Sequence, residues 1–426
     1  MKKLIALLLV LVMAIGLTAC GNKPAADEKG SVYYLNFKPE FDAALQELAK
    51  TYTEKTGIEV KVVTAASGTY SDTLNSNIED VTIFNIGNLA GLADWDEYAM
   101  DLNGTAIAAE LTTNDFNLYN EAGELKALGN CYESFGIIVN TKLLADAGYS
   151  LADITNFETL KAVAEDIHAR AAELGFDAFS AAGLDGSSSW RFSGHLATLP
   201  LHYEFAEDGV TEQPATIKGS YLDNFRNIWD LYITDTAADA KTLSTGTGEQ
   251  STNEFKTGKA VFYQNGTWEY AGLIEAGLKA EELTMIPLYC GVAGEENSGL
   301  PCGTENCWAI NAKASQADID ATIAFVKWVV TSEEGTTMMA KEFGPIPFKN
   351  AKASENVFFN DANRYLAEGK YNVSWAFNHT PNVDSWRAGV VSALAAYSAD
   401  PTDENWTGVE KAFVEGWAAE YAVQHG

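Results

Sequence analysis

Short apolar runs of strand character alternate along this chain with stretches whose apolar residues recur at helical spacing, and that alternation restricts the fold to α/β layers. Val32-Tyr33-Tyr34-Leu35 reads as a strand; Phe41, Leu45, Leu48 and Tyr52 then repeat at helix spacing, with Pro39 placed for a start and Thr56-Gly57 for a stop. Residues 58–63 alternate like a second strand, and Val81-Thr82-Ile83-Phe84 like a third, ending in Asn85-Ile86-Gly87-Asn88. Further on, residues 135–139 read as a buried strand. Thr155-Asn156-Phe157-Glu158 fits a capping box ahead of Leu160, Val163, Ile167, Ala171 and Leu174. Phe225, Ile228, Trp229 and Tyr232, and then Ile319, Ile323, Val326 and Val330, mark two more amphipathic helices. No repeat and no long low-complexity linker follows Gly30, so a second lobe must be joined by short crossovers, the pattern of a hinge. In open parallel sheets ligands sit beyond the carboxyl ends of the strands, which places Asn36 to Lys38 and Asn85 to Asn88 on one rim.

With 426 residues the chain is too long for one compact core and suits two lobes or two to three domains, and its 47% apolar and 11% aromatic content excludes disorder. The first residues follow a different rule. Lys2 and Lys3, the apolar run of residues 4–15, and Leu17-Thr18-Ala19-Cys20 have the order of a secretory signal. The run to Ala19 is shorter than the roughly 20 residues of a membrane-spanning helix. Its last four residues resemble the lipobox of bacterial lipoproteins, which implies that Cys20 is acylated and becomes the first mature residue. Residues 20–30 would then be a flexible tether holding the protein to the outer face of the cell membrane through lipid chains. Loss of Lys2 and Lys3 takes the net charge from −31 to −33, so nucleic acid is not an expected partner. Besides Cys20 there are Cys131, Cys290, Cys302 and Cys307, without C-x-x-C spacing, and the five histidines form no paired motif. No metal or cofactor is expected. The spacing does not choose between buried thiols and a disulfide among Cys290, Cys302 and Cys307.

One segment carries the functional reading: Phe255-Lys256-Thr257-Gly258-Lys259-Ala260-Val261-Phe262-Tyr263-Gln264-Asn265-Gly266-Thr267-Trp268. It resembles the segment of family 1 extracellular solute-binding proteins, the carbohydrate receptors of ABC importers, in which a strand ends in Asn-Gly-x-Trp. Glu133-Ser134-Phe135-Gly136-Ile137-Ile138-Val139-Asn140 is similar to that family's crossover into its second lobe, and Cys302-Gly303-Thr304-Glu305-Asn306-Cys307-Trp308-Ala309-Ile310-Asn311 to the return. The resemblance implies an α/β, two-lobed periplasmic-binding-protein-like fold with a hinge and an interlobe ligand cleft. The implied lobes are residues 31–132 with 308–347, and 133–307 with 348–426. It further implies an oligosaccharide ligand, ABC permease partners and a monomer, with no catalysis.

Sugars present flat C–H faces and rings of hydroxyls, so their receptors need aromatic plates together with amides or carboxylates. In the family the tryptophan matching Trp268 stacks on a sugar ring. Trp190 lies in a loop of small polar residues, Trp386 precedes a helix, and Trp375 competes with it. Glu133, seven positions before Asn140, matches a sugar-binding carboxylate of maltodextrin receptors, and Glu305 would face the cleft from the hinge. Asn36, Lys38, Asn88, Asp185 and Arg191 complete the candidate set from strand ends and loops. Trp229, Trp308, Trp328, Trp406 and Trp417 are expected in the core, and Trp95 is left open. Two rivals stand beside the receptor: a secreted glycoside hydrolase, for which no segment singles out a carboxylate pair, and a receptor for a non-sugar solute. No Gly-x-x-x-x-Gly-Lys-[Ser/Thr] occurs, so ATP hydrolysis would belong to another subunit.

Overall fold

In the computed structural model, which describes residues 29–426 apart from 66–68, 115, 181–182, 211 and 305, the chain builds two sheets. The leader and Cys20 lie outside the described residues. Strands β1 (Ser31–Asn36), β2 (Glu59–Thr64), β3 (Ile83–Ile86), β4 (Leu118–Tyr119) and β5 (Leu125–Gly129) enter the first sheet. The second holds β6 (Glu133–Asn140), β7 (Asp177–Phe179), β8 (Ala260–Gly266), β9 (Leu283–Ile286) and β10 (Cys302–Gly303), after which β11 (Cys307–Ile310) returns to the first. The first sheet runs β2-β1-β3-β11-β5-β4, with β1 parallel to both neighbours and β11 antiparallel between β3 and β5. The fold is the expected α/β pair of lobes; the first sheet is mixed where β11 returns from the other lobe, and the second because β7 is parallel and β6 antiparallel to β8.

Strand alternation decides what each face buries. Val32, Tyr34 and Ile83 pack with Trp308 against helices Asp42–Thr56 and Gln316–Thr331, while Leu35, Phe84 and Ala309 turn to the opposite face against Leu74 and Leu92. A strand buried on both faces reads as an unbroken apolar run, as residues 32–35 do. In the second sheet Phe135, Ile137 and Val139 join a core completed by helices Phe157–Ala169, Leu222–Thr234, Val383–Ala399 and Asp403–His425, and Ile138 faces Tyr263 and Met285 on the other side.

Helix Asp42–Thr56 stops at Gly57, whose φ of 71° is the left-handed conformation a glycine cap supplies. The capping box lies one residue later than the sequence predicts. Helix Phe157–Ala169 starts at Phe157, so Asn156 is the cap: its Oδ1 accepts from the Thr159 N–H at 3.0 Å, and Thr159 Oγ1 accepts from the Asn156 N–H at 3.1 Å. Thr159, not Glu158, stands at the third helical position.

The chain passes between the sheets at residues 130–132 and again between Gly303 and Cys307, and the Asn130 N–H donates to the Asn306 carbonyl at 3.1 Å, so the two crossings run side by side. A third passage follows Lys349, whose N–H still bonds the Glu110 carbonyl of the first lobe at 2.9 Å; Asn356 Nδ2 then donates to the Thr267 carbonyl at 2.8 Å. Cys131, Cys290, Cys302 and Cys307 are free thiols. Among the described residues no helix is long and apolar enough to cross a membrane, and no group of three or more His, Cys, Asp or Glu could hold a metal ion.

Candidate functional site

Strand β8 ends at Gly266, paired with Phe135 of β6, and Thr267 is bonded to Ser134 in both directions: Thr267 N–H to the Ser134 carbonyl at 2.9 Å, Ser134 N–H to Thr267 Oγ1 at 3.3 Å. The Asn-Gly-Thr-Trp segment therefore lies at the first crossing. The Trp268 indole folds back over Gly266, where an added Cβ would stand 2.1 Å from the ring, so only glycine leaves room. Asn265 fixes the arrangement. Its Oδ1 accepts the indole N–H at 2.9 Å and the Gly266 N–H at 3.0 Å, and its Nδ2 donates to Tyr263 Oη at 2.6 Å and Glu269 Oε1 at 3.0 Å.

Around Trp268 the second lobe builds an aromatic wall. Trp190 precedes the π-helical segment Arg191–Leu196, a widened turn of a kind often found at functional sites, and that segment carries His195. The Trp190 and Trp268 ring centres are 5.8 Å apart, and His195 is 4.9 Å from the first and 5.4 Å from the second. His195 also stacks flat on Phe135, at 3.9 Å and 8°. Trp375, 5.3 Å from Phe135, lies over Gly303, where a Cβ would meet its indole at 2.7 Å, and Gly303 is the β partner of Glu133. The start of β6 is thus flanked by two tryptophans, each resting on a glycine. Trp190 and Trp268 are half-buried, whereas Trp375 is buried with its Nε1 unpartnered. Burial, reinforced by Arg387, Arg191 and Lys38, pushes the His195 pKa well below the usual histidine value and keeps the ring neutral. Gln264 Nε2 lies 2.9 Å from its Nδ1, which leaves the proton on Nε2.

From the first lobe Lys38 reaches this wall. Its Nζ is 3.1 and 3.0 Å from the Glu133 carboxylate oxygens and 5.6 Å from the Trp268 ring centre. Burial alone would lower the Lys38 pKa, but Glu133 and Glu40 more than offset it and hold the ammonium above its ordinary range. A second contact between lobes joins helix Leu89–Trp95 to the short turn Ala376–His379. Only about 50 Å³ remains in the cavity beside Trp268, lined by Glu40, Phe41, Glu133, Thr267 and Tyr270 among others.

The other candidates fall into three groups. Asn36, Asn88 and Asp185 shape the backbone of the site. Asn36 Nδ2 donates to the Lys38 carbonyl at 2.6 Å and its Oδ1 accepts the Lys38 N–H at 3.1 Å; Asn88 caps helix Leu89–Trp95; Asp185 accepts from the Ser187 hydroxyl at 2.8 Å, bracing the loop whose Ser187 carbonyl receives Trp190 Nε1–H at 2.9 Å. Two expectations are corrected. Arg191 is buried behind β8, donating to the Gln264 carbonyl at 3.1 Å and to Ser251 Oγ at 2.9 Å, because the guanidinium satisfies strand and helix groups inside the lobe. Trp386 is buried between Phe413 and Trp417, its Nε1 donating to the Phe413 carbonyl at 2.9 Å, because the C-terminal helix covers it. Glu305 lies outside the described residues. Trp229, Trp308, Trp406 and Trp417 are in the core as expected, Trp328 packs half-buried on Tyr52, and Trp95 packs on Phe84 and Tyr98. Sequence reasoning missed His195 and Phe135. Only the nearness of His195 to Trp190 in the chain could have pointed to it.

Several solved structures share this architecture. RafE in complex with raffinose is 16% identical, with a TM-score of 0.73 over 92% of this chain and 99% of that one. A chitin oligosaccharide binding protein is 17% identical, with a TM-score of 0.70 over 92% of this chain and 98% of the other. The GacH receptor of Streptomyces glaucescens is 20% identical, with a TM-score of 0.63 over 92% and 97%. At these identities the likeness establishes the two-lobed fold. The family described as bacterial extracellular solute-binding proteins matches residues 47–397, and this chain belongs to that family.

Proposed function

We propose that this protein is the extracytoplasmic oligosaccharide receptor of an ABC importer, which captures its ligand by lobe closure and delivers it, without chemistry, to membrane permease subunits. The observation that carries the reading is the half-buried pair Trp190 and Trp268 at the junction of the two sheets, beside the carboxylate of Glu133. Two indoles at an angle offer more stacking face than one ring uses, and a carboxylate at their edge accepts from hydroxyls. Among the structural neighbours, RafE was solved with raffinose and another is described as binding chitin oligosaccharide, which supports a neutral oligosaccharide here. The lobes of this proposal are residues 31–132 with 308–347 and 133–307 with 348–426, acting as a monomer tethered through acylated Cys20. A ligand touching both lobes stabilises the closed form by its differential affinity for that form.

The test is a thermal-shift and calorimetric screen of the chain without residues 1–19 against raffinose, a chitin trisaccharide, acarbose and D-galactose. An oligosaccharide at 100 times its dissociation constant is expected to add about 2.7 kcal/mol of stability. Hydrolysis products, or galactose binding as tightly as the oligosaccharides, would overturn the reading.

A further inference from the structure

We propose that His195 is the hydrogen-bond donor of the ligand site: its Nε2–H pairs with an oxygen of the sugar that stacks on Trp190 or Trp268. The sugar rests on the oligosaccharide reading above, whereas the state of the imidazole does not. Every other aromatic N–H of the wall is spent or enclosed. Trp190 Nε1–H goes to the Ser187 carbonyl at 2.9 Å and Trp268 Nε1–H to Asn265 Oδ1 at 2.9 Å, while Trp375 Nε1 is enclosed in the core. Asn265 offers no further donor, since its Nδ2 hydrogens go to Tyr263 Oη and Glu269 Oε1. His195 differs. Its Nδ1 is committed to Gln264 Nε2 at 2.9 Å, and because an amide nitrogen only donates, Nδ1 accepts and the proton stands on Nε2. Nε2 bonds no described residue and is not one of the enclosed polar atoms, so the 5% of His195 that stays exposed includes this N–H. The ring lies flat on Phe135, with the Trp190 and Trp268 centres 4.9 and 5.4 Å away, so a sugar on either indole comes within its reach. Phe135 is two residues from Glu133 on the same face of β6, which sets a fixed donor and a carboxylate acceptor on one side of the strand. Burial, then Arg387, Arg191 and Lys38, oppose a second proton and keep Nδ1 an acceptor. The imidazole therefore reads an acceptor and turns away an ammonium, and a sugar that covered its N–H unpaired would bury an unsatisfied donor.

Nitrogen-15 labelling of histidine reads both ring nitrogens in the chain without residues 1–19, and the His195 signals are assigned by their loss in His195→Gln. Without sugar, Nε2 is expected protonated and Nδ1 bare. The opposite tautomer would overturn the donor. On saturation with raffinose or a chitin trisaccharide the Nε2–H signal is expected to shift and its exchange with water to slow, while exposed His168, paired with Asp177, stays unmoved. Calorimetry supplies the second readout. His195→Phe keeps a flat ring on Phe135 without the N–H and is expected to weaken sugar binding about 10- to 30-fold, within the range for a lost hydrogen bond. His195→Gln, whose amide nitrogen reaches about as far as Nε2, is expected to recover part of that loss. An Nε2–H signal that stays put while a sugar binds, or unchanged affinity in a folded His195→Phe chain, would overturn the contact alone. If none of the four sugars binds, the functional reading and the contact fall together.

Discussion

Trp268 and Trp386 both follow polar, turn-forming residues, Asn265-Gly266-Thr267 and Asn382-Val383-Asp384-Ser385, yet they end in opposite surroundings. The indole N–H explains the divergence. Trp268 finds its acceptor three residues back, on Asn265, so the ring is fixed by its own strand end and needs no other element to cover it. Trp386 finds its acceptor on Phe413, in another helix, and is drawn into the core edge-on to Phe413 and Trp417. Asn382 helps, since its φ of 37° is the only positive value among described non-glycine residues and its backbone N–H donates to Gln424 at 3.0 Å. In this pair a local acceptor goes with a half-buried plate and a distant one with a plate drawn into the core.

Four measurements would break or sharpen this contrast. The largest expected effect is for Trp386→Ala, a loss of about 3–5 kcal/mol in unfolding free energy by denaturant titration, with sugar affinity of the folded fraction unchanged. Trp268→Ala reverses the pattern: about 2–4 kcal/mol of binding free energy lost by calorimetry, with little change in stability. The contrast collapses if both variants lose affinity equally. Gly266→Ala forces the indole off its seat and is expected to cost about 1–3 kcal/mol of binding with Trp268 intact, the range for overpacking. The smallest effect concerns pH. His195 is held neutral when folded and takes a proton near pH 6.5 when unfolded, so its contribution is fully present above that value and is lost as pH falls below it. The slope is at most about 1.4 kcal/mol per unit. Urea melts between pH 7 and 5 should show it, and His195→Asn should flatten the curve.

The alternation of elements was legible because the central strands β3, β5 and β11 are buried on both faces and read as apolar runs, the edge strand β2 alternates, and helix Asp42–Thr56 buries one face. The hold of Asn265 and Gly266 on the Trp268 indole is local, whereas the pairing of Thr267 with Ser134 is not. Lys38 and Glu133 could each be named, but not as partners, because 95 positions separate them and only the crossing at residues 130–132 brings them together. Arg191 was misread since a charged residue beside a polar loop looks exposed, while its guanidinium enters the lobe to meet a strand carbonyl. For His195 the one local signal was its nearness to Trp190; its flat stacking partner Phe135 comes from β6, far away in the chain.

The return of β11 also determines the order in which the molecule can be completed. Strands β1 to β5 are made first, but β3 and β5 are joined only through β11, which follows every strand of the second sheet. Until residues 307–310 arrive, β3 and β5 each present an unpaired edge, a surface that invites pairing with another chain. Closing them is a long-range event that follows the second sheet, and such events are slow and prone to aggregation. The sheet that is begun first is therefore the one closed last, and a chain stopped at residue 306 would hold a first sheet in two halves.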